Sequence, residues 1–147
     1  MSIRTASAHD FYYVRRLPVQ LSKRSVFMLP PKTLRLLMMD ADARLLVYER
    51  GDIAAFLALR IVPPENASLR FLEIVYFACD RAAPANGNAT KMIGKATEIA
   101  AQLGCAGVLV LNEQLHHDSL RFYQRAGFTP SENTLLKKIN RSELAHL

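Results

Sequence analysis

Apolar residues recur at helical spacing along the segment from Asn88 to Leu103. The spacing is about 3.6 residues per turn, and Gly104 supplies the C-terminal stop. The apolar stripe consists of Met92, Ile93, Ala96, Ile99, Ala100 and Leu103. A continuous apolar run follows from Ala106 to Leu111, which is typical of a strand buried on both faces. The pattern predicts an amphipathic helix that leads into a buried strand.

Three β-rich stretches precede this helix and are separated by turn residues. They span Arg44–Glu49, Ile53–Val62 and Ser68–Cys79. Residues 50–52 read as a tight turn, and a proline-rich loop over residues 63–66 separates the second stretch from the third. Consecutive strands joined by turns predict an antiparallel meander. The third strand, the helix and the buried run then predict a βαβ unit with parallel outer strands.

The N-terminal segment predicts a short strand followed by two helices. The strand is Ser2–Ala6, and a helical start follows at residues 7–10. Apolar residues at helical spacing continue this helix, with a kink or break at Pro18. They are Phe11, Val14, Leu17 and Leu21. The second helix follows Pro30, with Pro31 in its first turn. Its apolar face contains Leu34, Leu37, Met38 and Ala41.

The C-terminal segment predicts one more helix and a closing strand. The helix runs from Asp118, a good N-cap residue, to Ala126, and Gly127 stops it. The strand lies near Thr134–Ile139. Taken together, the elements predict a single α/β (α+β) domain over residues 1–147. Its central sheet is mixed and mostly antiparallel, the two parallel strands of its βαβ unit part from each other, and helices cover both faces.

Charge and composition narrow the range of partners. The chain has a net charge of +6 at pH 7 and an isoelectric point near 9.6, but its basic residues are scattered. The charge favours anionic partners, namely phosphate-bearing cofactors, nucleic acid or acidic substrates, but scattered basic residues do not identify a nucleic-acid binder, and we do not expect one here. The first residues lack the apolar core of a signal peptide, and no apolar run reaches the roughly 20 residues of a membrane span. We expect a cytoplasmic protein with no membrane partner.

Cysteine and histidine positions do not suggest metal chemistry. Cys79 and Cys105 lie in apolar surroundings, which predicts reduced core thiols. The His116-His117 pair alone is too little for a ligand set, so no metal is expected. We interpret this pair as solvated, with a substrate contact as the alternative.

The segment from Asp80 to Ala96 joins the third strand to the amphipathic helix. A glycine-containing loop that enters a helix exposes backbone N–H groups, and the helix dipole adds to their attraction for anions. Gly87 and Ala89 lack bulk where a phosphate would approach, and the Thr90 hydroxyl can donate a further bond. The pattern predicts a phosphate site, although many helices begin in this way without one.

A ligand in such a sheet settles beyond the C-terminal ends of parallel strands, where the two strands part. Here that crevice lies between the ends of Ser68–Cys79 and Ala106–Leu111. The helix after the second strand carries Tyr123 within the stretch FYQRAGF. Two interpretations of this tyrosine stay open: its hydroxyl faces a ligand in the crevice, or it is a core residue bonded to a backbone carbonyl.

The order of elements and two local motifs resemble those of the GNAT acyltransferase superfamily. FYQRAGF, residues 122–128, matches the F-Y-x-x-x-G-F motif of that family. RFLEIVYFA, residues 70–78, is similar to the F-x-E-I-x-F-x-A strand of the histone-acetyltransferase branch. The resemblance implies a GNAT fold that binds acetyl-CoA as co-substrate. It also implies an N-acetyltransferase that moves the acetyl group to a primary amine by direct transfer in a ternary complex.

The resemblance also implies roles for individual residues. Tyr123 is the general acid for the departing thiolate. Glu73 is the general base that takes a proton from the amine, with an outward-facing strand residue paired to an arginine as the alternative. The backbone amides of Phe77, Ala78 and Cys79 hold the pantetheine arm of the cofactor. Further cofactor contacts are expected from Ala85, Asn86, Gly87, Asn88, Ala89, Thr90, Asn112 and Ser119.

The phosphate loop departs from the family pattern at one position. The pattern Gln/Arg-x-x-Gly-x-Gly/Ala falls on residues 84–89, where Gly87 and Ala89 match but Pro84 does not. Proline replaces a side-chain donor and removes a backbone N–H. Phosphate binding is therefore expected to shift toward Asn86, Asn88 and Thr90.

Substrate and alternative functions remain open at this point. The expected partner is a small-molecule or peptide amine, and a homodimer is a further expectation. Pro84 motivates one alternative, a catalytically weak or inactive CoA-binding regulatory protein. The basic isoelectric point motivates another, a toxin-type acetyltransferase directed at charged tRNA.

Overall fold

A computed structural model describes residues 2–22, 31–63, 69–113 and 115–139 of the chain. Within these ranges, eight strands form one sheet and five α-helices pack around it. The strands are β1 (Ser2–Thr5), β2 (Val19–Gln20), β3 (Ala43–Arg50), β4 (Asp52–Val62), β5 (Phe71–Cys79), β6 (Gly107–Leu111), β7 (Thr129–Ser131) and β8 (Thr134–Lys138). The helices are α1 (Phe11–Val14), α2 (Pro31–Met39), α3 (Ala83–Asn86), α4 (Asn88–Gln102) and α5 (His117–Arg125). A 3₁₀ turn at Ala8–Asp10 precedes α1.

The sheet is mixed and mostly antiparallel, which confirms the predicted fold class. Its order is β1-β3-β4-β5-β6-β8-β7, and β2 pairs with β5 outside this order. The β5–β6 pair is parallel, and the other neighbouring strands are antiparallel. Strands β3, β4 and β5 form the predicted meander, and β5, α4 and β6 form the predicted βαβ unit.

Strands β5 and β6 separate soon after they pair. Their parallel contact is limited to Leu72 with Val108 and Glu73 with Leu109. Beyond this point β5 continues to Cys79, whereas β6 pairs on its other side with β8. The register of β5 against β4 also shifts between Ala58 and Leu59, which leaves Val75 as the extra residue of a β-bulge. A wedge-shaped gap therefore opens at the C-terminal end of β5, as the sequence predicts.

Helices cover both faces of the sheet, and each face has its own apolar core. One core cluster combines inward residues of the sheet with α4 and α5, including Met92, Ile93 and Phe122. The other combines the opposite face with α1 and α2, including Phe11 and Leu34. Within the described ranges, no helix is both long enough and apolar enough to cross a membrane.

The first predicted helix is shorter than its apolar spacing suggests. It ends at Val14, and after Pro18 the chain becomes extended and forms β2, so Leu21 does not belong to a helix. Proline has no backbone N–H to continue the helical ladder, and it disfavours a helical residue before it. In the second helix Leu34 is buried, but Met38 is exposed and Ala41 follows the end of the helix.

The C-terminal elements also differ in detail from the prediction. The N-cap of α5 is His116 and not Asp118: the backbone N–H of Asp118 donates to His116 Nδ1 at 3.2 Å. An N-cap residue needs an extended backbone and a side-chain acceptor, and His116 has both. Two short strands, β7 and β8, form a hairpin where the sequence predicts one strand. The predicted positions Pro30 and Ser68, and residues 64–66 of the proline-rich loop, lie outside the described ranges.

Candidate active site

Tyr123 lies on the buried face of α5 and has no exposed surface. Its ring packs edge-on against Phe122 and Phe128, with centroids 5.3 Å and 5.2 Å away. The phenolic oxygen is the one buried side-chain N or O atom in the described residues that has no hydrogen-bond partner. Leaving a buried hydroxyl unpaired costs about 1–3 kcal/mol, so such an atom needs an explanation. It makes Tyr123 a candidate for a role beyond packing.

Burial sets the protonation state of this phenol and of the nearby Cys79 thiol. Burial raises the pKa of Tyr123 well above its usual value, and the proximity of Cys79 raises it further. Burial, followed by the neighbouring Asp80 carboxylate, raises the pKa of Cys79 to about 12. Both groups therefore keep their protons at neutral pH. A thiol in this state is a poor nucleophile, which fits a core role for Cys79.

A segment from the N-terminal half of the chain lies along the edge of β5 that faces the gap. We call residues 19–22 the strap. Val19 pairs with Cys79 and Gln20 with Ala78 in an antiparallel register. The backbone N–H of Leu21 donates to the Phe77 carbonyl at 2.8 Å. The N–H of Phe77 donates to Ser22 Oγ at 3.0 Å, so both backbone groups of Phe77 have partners within the chain.

The loop after β5 folds into a short helix before α4 begins. The Asp80 carboxylate accepts a hydrogen bond of 2.8 Å from the N–H of Ala83, at the start of α3. Gly87, with φ of +87°, ends α3 and caps α4, a conformation that favours glycine. Asn86 Oδ1 accepts a bond of 3.0 Å from the N–H of Asn88. The first helical bond of α4 is the one from Lys91 N–H to the Gly87 carbonyl, so the intervening N–H groups lie at the open helix end.

Side chains of this loop differ in exposure. Asn88 and Ala89 are buried, whereas Ala85, Asn86 and Thr90 are exposed. Pro84 occupies the first turn of α3, where its missing N–H costs nothing to the helix. The loop therefore presents Thr90 and the open end of α4 to the surface near the gap.

Two adjoining cavities lie between this loop, the strap and α5. The first has a volume of about 530 Å³ and is lined by strap residues, Pro84, the N-cap His116 and residues of α5, including Asp118, Ser119 and Arg121. The second, of about 400 Å³, is lined by Pro84, Ala85, Thr90, Phe122 and Arg125. Pro84, Phe122 and Arg125 line both cavities, so the two form one groove that passes the start of α4.

Two arginines outnumber the single carboxylate, Asp118, among the residues that line this groove. Arg121 and Arg125 are exposed and lie one turn apart on α5. Across the described part of the chain, neither guanidinium takes part in a salt bridge. With the N-terminal end of α4 opposite, the groove attracts anions. The sequence reasoning missed both arginines, although their spacing of four residues on a helix signals a shared face.

The remaining predicted residues lie around the gap at different positions. Ser119 is buried, and its Oγ is 3.5 Å from the Gln20 carbonyl of the strap. Asn112 follows β6, and its N–H donates to the Asn133 carbonyl at 2.7 Å, beside the β7–β8 turn. The backbone of Asn112 is thus held by the β7–β8 turn.

Glu73 lies at the vertex of the gap, where β5 and β6 last pair. Side chains alternate along a strand, so Glu73 faces away from Leu72 and Ile74, which belong to the α4–α5 core. It lies opposite Arg60 of β4. Arg60 itself bonds Asp40, with 3.1 Å between Nε and Oδ2. Glu73 and Tyr123 therefore approach the gap from opposite faces of the sheet.

Comparison with known proteins identifies a family for most of the chain. The profile described as "Acetyltransferase (GNAT) family" matches residues 9–128. A search of curated proteins by sequence found no match.

Solved structures with the same fold include enzymes that act on different amines. A ribosomal-protein-alanine N-acetyltransferase from Escherichia coli is 13% identical, with a TM-score of 0.69 and coverage of 95% of this chain and 94% of that chain. An aminoglycoside antibiotic 6'-N-acetyltransferase from Acinetobacter haemolyticus is 20% identical, with a TM-score of 0.69 and coverage of 90% and 93%. A GNAT-family protein from Desulfovibrio desulfuricans is 14% identical, with a TM-score of 0.73 and coverage of 95% and 99%.

Proposed function

Since the chain belongs to the acetyltransferase (GNAT) family, we propose that it is an N-acetyltransferase that uses acetyl-CoA and a primary amine. The two substrates meet in a ternary complex, and the acetyl group moves directly between them. The observation that carries the proposal is the Tyr123 hydroxyl, which is fully buried close to Cys79 at the end of β5 and has no protein partner. Packing alone does not explain that atom, because phenylalanine would fill the same space without the cost of an unpaired hydroxyl.

The residues around the groove fit the chemistry of a phosphorylated thioester. Thr90, the N-terminal end of α4 and the guanidinium of Arg125 can hold phosphate groups. In this proposal Arg125 supplies the charged donor that Pro84 cannot. The edge of β5 at Phe77, Ala78 and Cys79, which the strap bonds in this structure, carries the backbone groups that an amide-bearing arm would use. When bound, acetyl-CoA supplies an acetyl group activated as a thioester.

Glu73 has the role of general base in this proposal. A free alkylammonium has a pKa of about 10, so at neutral pH an amine must lose a proton before it can attack. Glu73 lies at the vertex of the gap, on the face covered by α1 and α2. A carboxylate there can take the proton directly or through water.

Tyr123 has the role of general acid. Its raised pKa keeps the phenol protonated at neutral pH, so its O–H is present as a hydrogen-bond donor when the sulfur develops negative charge. As the thioester bond breaks, the phenol donates a hydrogen bond and then its proton to the departing sulfur. The dry surroundings strengthen this interaction, because Phe122 and Phe128 exclude water from the ring.

The proposed acceptor is a small-molecule or peptide amine. The proposed class is broad because one structural relative is named for a protein alanine and another for an aminoglycoside. The net charge of +6 repels polycations, so an amine with an accompanying acidic group fits this surface better.

One observation favours a second candidate function. The strap bonds the edge of β5 that a cofactor arm would need, and Pro84 removes a phosphate donor. A CoA-binding regulator with little or no turnover would have both features. The two candidates differ in catalysis and share cofactor binding.

The test has two stages. Thermal unfolding is measured with acetyl-CoA, CoA and longer acyl-CoAs, and specific stabilisation by acetyl-CoA is the expected result. Release of free thiol from acetyl-CoA is then followed with a panel of amines. Turnover with any amine supports the enzyme. Binding without turnover, unchanged in Tyr123→Phe, supports the regulator, and no binding at all rejects both.

A further inference from the structure

We infer that the strap, residues 19–22, competes with the cofactor for the edge of β5, so that the protein exists in a self-blocked form which the cofactor opens. This inference rests on the proposed function, since it concerns the place where the cofactor arm is proposed to lie. The structural basis is that the strap and the arm require the same backbone groups.

The strap uses the hydrogen-bonding groups of β5 on the side that faces the gap. On its other side, β5 is already paired with β4 over the same residues: Phe56 lies opposite Ala78, and Ala55 lies opposite Cys79. The gap-facing side therefore offers the free edge of the strand, and the strap bonds it through Val19, Gln20 and Leu21. A strand edge holds one extended partner at a time.

The chemistry of the strap resembles that of the arm it would exclude. Pantetheine is an extended chain whose amide groups can add to a strand edge as a peptide does. The strap offers the same groups, and it lines the groove together with Pro84 and Ser119. Ser22 adds a hydroxyl that accepts the N–H of Phe77. With the strap in place, none of these bonds to Phe77 is available to a ligand.

The attachment of the strap is limited in extent, which makes exchange feasible. Its β-pairing covers only two residues, and Pro18 has no N–H with which to extend it toward the N-terminus. Leu21 and Ser22 are buried, but Val19 and Gln20 are only half-buried. Leu21 packs in the core that contains Phe77, so it is the main apolar anchor. Release of the strap exposes Leu21 and the half-buried Val19, and it breaks the β2–β5 pairing together with the bonds of Gln20 and Ser22.

A substitution that weakens the strap tests the inference, because it should strengthen the binding of acetyl-CoA and not weaken it. Ser22→Ala removes the acceptor of the Phe77 N–H, and Ser131→Ala, on the exposed strand β7, is the matched control. Loss of one hydrogen bond shifts the closed–open equilibrium about fivefold. We therefore expect Ser22→Ala to bind acetyl-CoA about fivefold more tightly than the wild type, measured by calorimetry, and Ser131→Ala to match the wild type.

A ligand without the arm separates this effect from general changes in the fold. Adenosine bisphosphate, the nucleotide half of coenzyme A, does not reach β5 and should bind both variants and the wild type equally. Unchanged or weaker binding of acetyl-CoA to Ser22→Ala would overturn the inference. So would an equal gain in affinity for adenosine bisphosphate, because the strap would then act on the whole groove.

Amide hydrogen exchange on the wild-type protein gives a second readout that requires no substitution. On addition of CoA, the N–H of Leu21 should exchange faster because it loses the Phe77 carbonyl. The N–H of Phe77 should stay protected because the arm replaces Ser22. Protection of both amides while CoA is bound rejects the strap inference and leaves the proposed function intact. If CoA does not bind, the proposed function and the inference fall together.

Discussion

The ring of Tyr123 stands edge-on to that of Phe128, with 5.2 Å between their centroids and 70° between their planes. Phe128 follows the glycine that ends α5, and its own ring is buried. The position of the phenol is therefore set by apolar contacts on its ring and not by any bond to its oxygen. Ring and hydroxyl have separate roles, and they can be examined separately.

Tyr123→Phe should lower turnover at least tenfold and leave the affinity for acetyl-CoA nearly unchanged. The substitution keeps the ring contacts and removes the proton donor, whose loss typically costs a factor of 100 or more at a site of this kind (order of magnitude). Steady-state kinetics and calorimetry measure the two quantities.

The same variant should be at least as stable as the wild type. Removing a buried hydroxyl that has no partner relieves a cost of about 1 kcal/mol. Tyr13→Phe, at an exposed position of α1, is the control and should change neither activity nor stability. A loss of both stability and cofactor binding in Tyr123→Phe would show that the hydroxyl has a structural partner.

Glu73→Gln should slow the reaction most at low pH, and the deficit should shrink as the pH rises toward the pKa of the amine. At high pH the amine is already neutral and needs no base. The ratio of wild-type to variant kcat/KM across the pH range measures this. Glu113→Gln, at an exposed position after β6, is the control. A ratio that stays constant with pH would remove Glu73 from the role of base.

Arg125→Ala should weaken acetyl-CoA binding about tenfold, because charge-assisted bonds to phosphate contribute about 1.5–3 kcal/mol. Arg125→Lys should retain part of the affinity. Acetylpantetheine, which carries no phosphate, should bind the wild type and both variants equally. Arg35→Ala, on the exposed face of α2, is the control. An equal loss with acetylpantetheine would mean that Arg125 supports the fold of the groove and not the phosphates.

The ion pair between Arg4 and Asp10 predicts a component of stability that is lost in acid. Arg4 donates to both carboxylate oxygens, at 2.8 Å and 2.9 Å, and the N–H of Ser7 donates at 2.7 Å. The bonds from Arg4, first, and those from Ser7 lower the pKa of Asp10 below its usual value. A lowered folded-state pKa means that this stability is present above about pH 4 and disappears as the pH falls through the folded-state pKa.

Asp10→Asn should therefore reduce the free energy of unfolding by about 2 kcal/mol at pH 7. The difference from the wild type should shrink below about pH 4. Urea unfolding at a series of pH values measures it, and Asp52→Asn, at an exposed turn, is the control. A difference that does not depend on pH would contradict the ion-pair account.

Two glycines predict opposite effects of the same substitution. A Cβ at Gly107 would lie 2.6 Å from the Lys137 carbonyl oxygen in β8, so Gly107→Ala should destabilise the fold by about 2 kcal/mol. At Gly94, within α4, a Cβ meets nothing within 4 Å, so Gly94→Ala should stabilise it by about 1 kcal/mol. Urea unfolding measures the change in the free energy of unfolding for each variant. Changes of the same sign in both variants would contradict the described packing of β6 against β8.

Local periodicity predicts the second half of the chain well and the first half poorly. The apolar stripe of α4 and the continuous run of β6 specify their elements directly, because the stripe has a single helical period and the run is short and apolar throughout. In the first half, Phe11, Val14 and Leu21 have helical spacing, but only the first two lie on a helix. Leu21 is buried by β5, a partner far away in sequence, and spacing carries no information about that pairing.

The candidate site was likewise predictable only in part: local motifs indicate some of its features, and contacts between distant residues determine the others. The gap between β5 and β6 and the tyrosine beside it follow from the βαβ pattern and the FYQRAGF stretch. The strap and the short helix α3 depend on contacts such as Ser22 with Phe77 and Asp80 with Ala83, which no periodic pattern encodes. Arg125 lies in a motif position that the family pattern leaves unspecified, so its place in the groove emerged only from the structure.

The bulge at Val75 changes the parity of β5. Leu72, Ile74, Phe77 and Cys79 belong to one core, whereas Tyr76 and Ala78 belong to the other. An uninterrupted strand would put Ile74 and Tyr76 on one side and Phe77 on the other. Because Val75 is the extra residue of the bulge, Phe77 faces α5, whereas Glu73, four positions earlier, faces α1 and α2 on the other side of the sheet. Pairing Val75 into the ladder as an ordinary strand residue would exchange the two sides of the sheet beyond that point, so the position of Phe77 relative to Glu73 depends on the bulge as much as on the composition of the strand.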